Sequence, residues 1–393
     1  MTAETKHREL IAFLTNQISQ LTSFADMFDF YLLNRSVLKD WTFIVSTKEP
    51  NNMDLYDGLE KISGIRERLF TPFSNGRVSI INDRILQRCL SNDDSRARTF
   101  RCVSFDTQTV SYIERYYKKG TVSYEGFETV IQLLKSGDLG VDHIPYTIEN
   151  LMFDLSRKDS VERTLFAYEM LVGENAGNEK VCWEQARAIV SMYEKEEFEF
   201  SFEIKEQYKM IYLSLLKMSQ IQLEHQKESV EKKLKIFVEF ITTKLYRMMQ
   251  PEINLAKVYF SKGSNCGFFG IIHKGNKNVL EQLKNMTWDL MHLRFMDYSS
   301  MMFDATEGDA LIPYFFTYDK RLQDIRECYS LQALAINPHT YSVFPIYVMV
   351  EGIRDILQEH CTFGKHKERM RQTPKVDTLI NECEKDLLKL ILQ

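Results

Sequence analysis

The 393-residue chain has no Cys-x-x-Cys pair, no apolar run long enough for a membrane, no excess of basic residues and no phosphate-cradling glycine loop. Its seven cysteines, at 89, 102, 182, 266, 328, 361 and 383, are scattered and odd in number. That disfavours a disulfide framework or a zinc knuckle and points to a reducing, cytoplasmic setting. The most apolar stretch, YSVFPIYVMV (Tyr341–Val350), falls far short of the roughly 20 residues a membrane helix needs. The opening MTAETKHREL is polar and reads as no secretory signal, so no membrane association is expected. A net charge of −5 excludes a protein coated in basic residues for indiscriminate nucleic-acid binding, while leaving room for a local basic groove. GSNCGFFG and HKGNKN contain glycines but follow no strand with P-loop or dinucleotide spacing, which disfavours a nucleotide-hydrolysing enzyme.

What is present is enough apolar material for a large core, with 44% hydrophobic and 12% aromatic residues. Leu10, Phe13, Leu14, Ile18, Leu21 and Phe24 recur at helical spacing. Residues 1–99 are therefore read as a mainly helical accessory lobe. At TFRCVSFDTQTVSYIERYY the pattern changes to a strand, Phe100–Phe105, followed by a helix opened by Asp106 and Thr107. A helix over Phe127–Leu134, a KSGDLG turn and a helix started by Pro145 complete a segment 100–155. Residues 156–278 read as a helical insertion; positions 230, 234, 237, 238, 241, 245 and 248 trace one apolar face. Segment 279–330 holds a helix followed by a strand, and 331–393 reads as a C-terminal helical segment.

The stretch PYFFTYDKRLQDI (Pro313–Ile325) is an apolar, aromatic run that ends abruptly in Thr317, Tyr318 and Asp319 and then turns basic. It reads as a buried strand whose tip points an acid at the strand-to-helix crevice, where open α/β sheets bind ligands. Three further acids take related positions: Asp106 after the first strand, Glu149 at a helix start, and Asp289 within TWDLMHLR. Each alone has a plainer role, as helix cap, macrodipole partner or solvated helix face. His292, three positions after Asp289, reads as packing or capping within its helix. The run GKHKERMRQTPK (Gly364–Lys375) reads as a solvated basic face.

In order and surroundings, VSFDTQTVSYI, PYTIENLMF, MTWDLMHLR and FFTYDKRL resemble the PIN-domain nucleases. The likeness covers roughly Phe100–Phe153 and Val279–Ile325. It departs from the family at Gln108, where Asn is usual, in the long insertion, and in the wide step from Asp289 to Asp319, which leaves Asp297 or Asp304 as rival third acids. The resemblance implies an α/β fold: a PIN-like parallel sheet with helices on both faces, plus the insertion and the N-terminal lobe. It implies Mg²⁺ or Mn²⁺ held by Asp106 and Asp319, with Glu149 and Asp289 completing the site directly or through water. Such ions take oxygen ligands, activate water and neutralise phosphoryl charge. Thr107 and Thr317 would bond the carboxylates or the phosphate, and Lys320 and Arg321 would meet the nucleic-acid backbone. The expected activity is phosphodiester hydrolysis, RNA favoured over DNA, in a toxin or anti-phage effector restrained by a regulatory protein partner or a homo-oligomer. The alternative is a non-catalytic helical scaffold that regulates a larger complex.

Overall fold

A computed structural model of the chain describes residues 3–47, 52–56, 59, 62, 64–73, 76–93, 96–137, 139–195, 201–299, 309–358, 360, 365, 368–369 and 371–392. The fold is mixed α/β and falls into two compact units. The first comprises 1–198, 292–318 and 330–347; the second comprises 199–291, 319–329 and 348–393.

Both sheets among the described residues lie in the first unit. The strands are β1 (Thr42–Ser46), β2 (Met53–Asp54), β3 (Leu69–Phe70), β4 (Arg77–Ile81), β5 (Thr99–Phe105), β6 (Gly140–Asp142), β7 (Ala310–Phe316), β8 (Leu331–Asn337) and β9 (Ser342–Tyr347). One sheet has the order β2-β4-β1-β8-β9, with every pairing antiparallel. The other has the order β3-β7-β5-β6. There β7, β5 and β6 run parallel, with Thr99 opposite Ala310 and Ser104 opposite both Phe315 and Asp142; only β3 is antiparallel.

The parallel sheet follows from its residues. Val103, Phe105, Tyr314, Phe315 and Phe316 are essentially fully buried, and each such side chain stabilises the fold by about 1.5–3 kcal/mol. Pro313 is tolerated in β7 because β3 covers only Phe315 and Phe316, so no ladder bond on that side is forfeited at the proline. Pro345 likewise sits on β9, the edge of its sheet. The register of β5 against β7 is pinned at its start by Asp309. Its carboxylate, 2% exposed as a residue, takes both guanidinium nitrogens of Arg88 at 3.1 and 2.8 Å and the Arg98 N–H at 2.8 Å. The Asp309 N–H donates in return to the Arg98 carbonyl at 2.7 Å.

The second unit is helical. Helix Ser201–Glu224 runs beside helix Val376–Leu392, tied by the Tyr212 hydroxyl to Glu384 at 2.8 Å and Lys209 to Asp377 at 3.0 Å. Helix Val230–Thr243 buries Leu234, Phe237, Val238 and Ile241, the face read from its periodicity. Pro251 opens the next helix, Gln250–Lys262, as a first-turn proline should. Buried Asn254 of that helix donates to the carbonyls of Cys328 and Val348.

One expectation is corrected: 331–393 is not wholly helical, since it opens with β8 and β9. Residues 1–99 are mainly helical among those described, but they also hold β1 to β4, which the sequence did not reveal. The runs TFIVS and LQALAIN are short and apolar, and periodicity alone does not separate a buried strand from a helix fragment at that length. Their pairing with each other, Thr42 opposite Ile336 and Val45 opposite Ala333, is a contact nearly 300 residues apart that no local signal carries.

Candidate active site

The three parallel strands β5, β6 and β7 end on the same edge of their sheet, and polar residues follow each end. After β5, Asp106 takes an extended backbone conformation, and its Oδ1 accepts the Thr109 N–H at 2.6 Å, capping the helix Thr107–Lys119. Such a cap contributes about 1 kcal/mol. Its Oδ2 accepts the hydroxyl of Thr317, just beyond β7, at 2.5 Å. Asp106 is only 8% exposed, and burial raises its carboxyl above the ordinary range; the bonds from Thr109 and Thr317 and the charge of His292 oppose the rise without cancelling it.

At the end of β6, Asp142 accepts the Ser299 hydroxyl at 2.7 Å, the Ser104 hydroxyl at 3.2 Å and the Ile144 N–H at 2.9 Å. Burial raises this carboxyl too. Asp142 carried no signal in the sequence beyond ending a three-residue strand after the KSGDLG turn.

Glu149 sits in the helix Ile144–Leu151 that follows β6. Its Oε2 accepts the Thr107 hydroxyl and lies 2.8 Å from Nε2 of His292. Burial works to raise this carboxyl, but the hydrogen bond and charge of His292, then the Thr107 hydroxyl, outweigh it and hold Glu149 below its ordinary range. Oε1 has no hydrogen-bond partner among the described residues, and the side chain keeps 21% of its exposure. His292 is 2% exposed and packs against Phe315 with ring centroids 5.6 Å apart. The reading of His292 as a residue that packs or caps within its own helix is therefore corrected. It packs, but it also binds a carboxylate from a distant segment, and its charge reaches Asp106 and Asp142.

Asp106, Thr107, Glu149 and Thr317 thus belong to one constellation within the first unit, to which the structure adds His292 and Asp142. Asp289, Asp319, Lys320 and Arg321 belong to the second unit. There Asp319 caps the helix Lys320–Ile325 and receives the Arg321 guanidinium at 2.6 Å. Burial acts to raise Asp319, but Arg321 and the backbone N–H groups lower it on balance. Asp289 adds to the negative field that raises Arg321, after Asp319. Lys320 is exposed. Of the rival third acids, Asp297 is buried and accepts the Tyr347 hydroxyl, while Asp304 lies outside the described residues. Parts of the basic run 364–375 lie outside them as well.

Among the described residues no group of three or more His, Cys, Asp or Glu side chains is arranged to enclose a metal ion. Mg²⁺ does not require such a cage: it is ordinarily held by one or two carboxylates, with waters and substrate phosphate filling the octahedron. The donor set of the first unit suits it in kind, being carboxylate and hydroxyl oxygen. Buried Asp106, which touches no cation among the described residues and whose burial the charge of His292 does not offset, is the group such an ion would relieve. No protein-family model matches the chain, and no curated protein or solved structure does so.

Proposed function

We propose that the strand-end constellation is the active site of a divalent-metal-dependent phosphodiester hydrolase acting on nucleic acid, RNA favoured over DNA. The observation that carries this reading is two unlike carboxylates joined through Thr107, which follows Asp106 in the chain and bonds Glu149 in the helix after β6. Asp106 is buried with a raised pKa, and Glu149 is kept ionised by His292 with one oxygen unengaged among the described residues. Environments that push two carboxyls apart in this way are characteristic of catalytic acid and base pairs.

Asp106 would hold Mg²⁺ or Mn²⁺ directly and Glu149 through water, and the ion would supply charge neutralisation at the phosphoryl group and an acidified water. The chain's own residues do the rest. Glu149 Oε1 takes the proton of the water whose oxygen bonds to phosphorus as the scissile P–O bond breaks, the departing sugar oxygen taking a proton from solvent; Glu149 remains competent at neutral pH because the carboxyl is ionised there. His292 and Thr107 fix the Glu149 carboxylate by bonding its other oxygen. Thr317 fixes Asp106 from just beyond β7, so Asp106 is oriented from β5 and β7 together. The resemblance also assigns metal-holding roles to Asp289 and Asp319, and substitutions there test that assignment separately.

The test is cleavage of labelled total RNA and single-stranded DNA with Mn²⁺ or Mg²⁺, beside EDTA, Asp106→Asn and Glu149→Gln. Metal-dependent cleavage should fall about 100-fold or more in each variant while circular dichroism stays unchanged. Cleavage that survives both substitutions removes this site from the reaction. Absence of cleavage and of Mn²⁺ binding by the wild type would favour the regulatory scaffold.

A further inference from the structure

A second feature of the first unit lies next to the proposed active site. Tyr318 directly follows Thr317, the residue that bonds Asp106, and the charge of Asp106 reaches the Tyr318 hydroxyl. From Tyr318 a row of rings leads away: Tyr124 at 4.4 Å between centroids, then Tyr112 a further 4.8 Å on. All three rings are partly exposed. Two guanidinium groups attend the row. Arg68 stands 5.2 Å from the Tyr318 ring, and Arg115 stands 5.4 Å from the Tyr112 ring.

The row is held in place by contacts that are not aromatic. The Tyr318 hydroxyl donates to the Gly126 carbonyl at 2.8 Å, and Gln108 donates to the Tyr112 hydroxyl at 2.8 Å. The Arg68 carbonyl accepts the Thr317 N–H at 3.1 Å, so this arginine is fixed by backbone to the strand end that carries the site. Gly126, at φ +77°, adopts a left-handed conformation beside Arg68 and starts the helix Phe127–Lys135; a side chain there would meet the guanidinium at 3.4 Å.

The rings meet edge-to-face and tilted, so a base would stack on the solvent side of the row and not between its rings; partly exposed aromatic side chains beside arginines are a recurring feature of sequence-tolerant single-strand binding. Every base has a π-face for the rings, and the guanidinium groups answer the phosphates. Paired bases in a duplex keep their faces stacked on one another and offer nothing to such rings. The site's own acids repel a phosphate backbone, so a cationic and aromatic track beside them is needed to deliver the strand. We infer that Tyr318, Tyr124 and Tyr112, with Arg68 and Arg115, form a base-stacking track that receives single-stranded RNA. This deepens the nuclease reading by naming the form of the substrate, and it rests on that reading.

The experiment is fluorescence-anisotropy binding of a labelled single-stranded RNA in EDTA, which stops metal-dependent cleavage, to wild type, Tyr124→Leu, Tyr112→Leu and Arg115→Ala. Controls are the same RNA as a blunt duplex and an abasic oligonucleotide of equal charge. Tyr124→Leu and Tyr112→Leu should each weaken single-strand binding about tenfold, and the wild type should bind the duplex and the abasic strand more weakly than the single strand. Circular dichroism and melting of each variant separate lost contact from lost fold, and Tyr124→Phe, which keeps the ring, should bind like wild type. Unchanged affinity in both Leu variants, equal wild-type affinity for the abasic strand, or no binding by the wild type overturns the track. The two readings fail differently. Binding that depends on the rings without any cleavage would leave the track and sink the nuclease; cleavage with ring-independent binding would do the reverse.

Discussion

Asp106 and Asp319 look alike in the sequence: each ends a strand, each opens a helix, and each caps that helix with its own side chain. Their electrostatic states are opposite. Asp319 has Arg321 against it and is held below the ordinary carboxylate range, whereas Asp106 is buried among hydroxyl and amide donors and is pushed above it. The cap is the same, and the difference is whether a cation touches the carboxylate: Arg321 contacts Asp319, while the charge of His292 reaches Asp106 without offsetting its burial. Hydrogen bonds from Thr317 and Thr109 satisfy the oxygens of Asp106 but bring no positive charge to offset its desolvation. An acid left in that state is expensive to the fold, which is why it points to chemistry where its look-alike does not.

Asp309 gives the strongest way to sharpen the contrast. It is as buried as Asp106, but Arg88 meets it with two nitrogens. Asp309→Ala would take the carboxylate from the Arg88 guanidinium, 13% exposed, and undo the start of the β5–β7 pairing. The expected cost is about 3–5 kcal/mol. Asp106→Asn keeps an acceptor for the Thr109 N–H, turns an amide N–H towards the Thr317 oxygen, which can accept in its place, and removes the buried charge, so it should leave stability at neutral pH unchanged or raised. Urea unfolding of both variants decides the matter. Comparable losses would mean that Asp106 is structurally as well paired as Asp309.

How much of this was legible in the chain differs between Asp106 and its neighbours. The strand Phe100–Phe105, the helix after it, the helix begun by Pro145 and the strand ending in Thr317 all carry local signals: β-favouring runs, a capping acid, a first-turn proline. Asp106 and Glu149 could be picked out because each sits beside one of those signals. Asp142 could not, because a three-residue strand has no periodicity to read. The partnership of His292 with Glu149 was hidden for another reason: it joins segments 143 residues apart, and helical spacing says only which face His292 shares. The five-stranded sheet was missed on the same grounds, since β1 and β8 find each other only in three dimensions.

His143 extends the comparison from acids to a base. It lies beside Tyr168, ring centroids 4.3 Å apart, and burial alone lowers its pKa to about 4. An unfolded histidine titrates near 6.5, so between about pH 6.5 and 4 the unfolded chain binds a proton that the folded chain refuses. Stability is therefore fully present above about pH 6.5 and is lost as pH falls towards 4, by at most about 3 kcal/mol from this group. His143→Phe keeps a ring against Tyr168 and cannot titrate. Its unfolding free energy should fall less steeply than that of the wild type between pH 7 and 4.5; parallel curves would place the acid sensitivity elsewhere.

The smallest effect belongs to Asp319, the acid that is already answered. Arg321 is half exposed, and its ion pair with Asp319 joins residues two apart, so the pair itself contributes no more than about 0.5 kcal/mol. The cap on the helix Lys320–Ile325 adds about 1 kcal/mol. Asp319→Asn preserves the capping oxygen and loses only the charge, so thermal melting should barely move. Asp319→Ala loses both and should cost about 1 kcal/mol. If Asp319→Asn nevertheless abolishes metal-dependent cleavage in a protein that melts like wild type, the charge at Asp319 serves the reaction, and the Arg321 pair would be a resting partner that substrate or metal displaces. If cleavage persists, the resemblance between the two strand-end acids stops at the cap, and the chemistry belongs to Asp106 and Glu149.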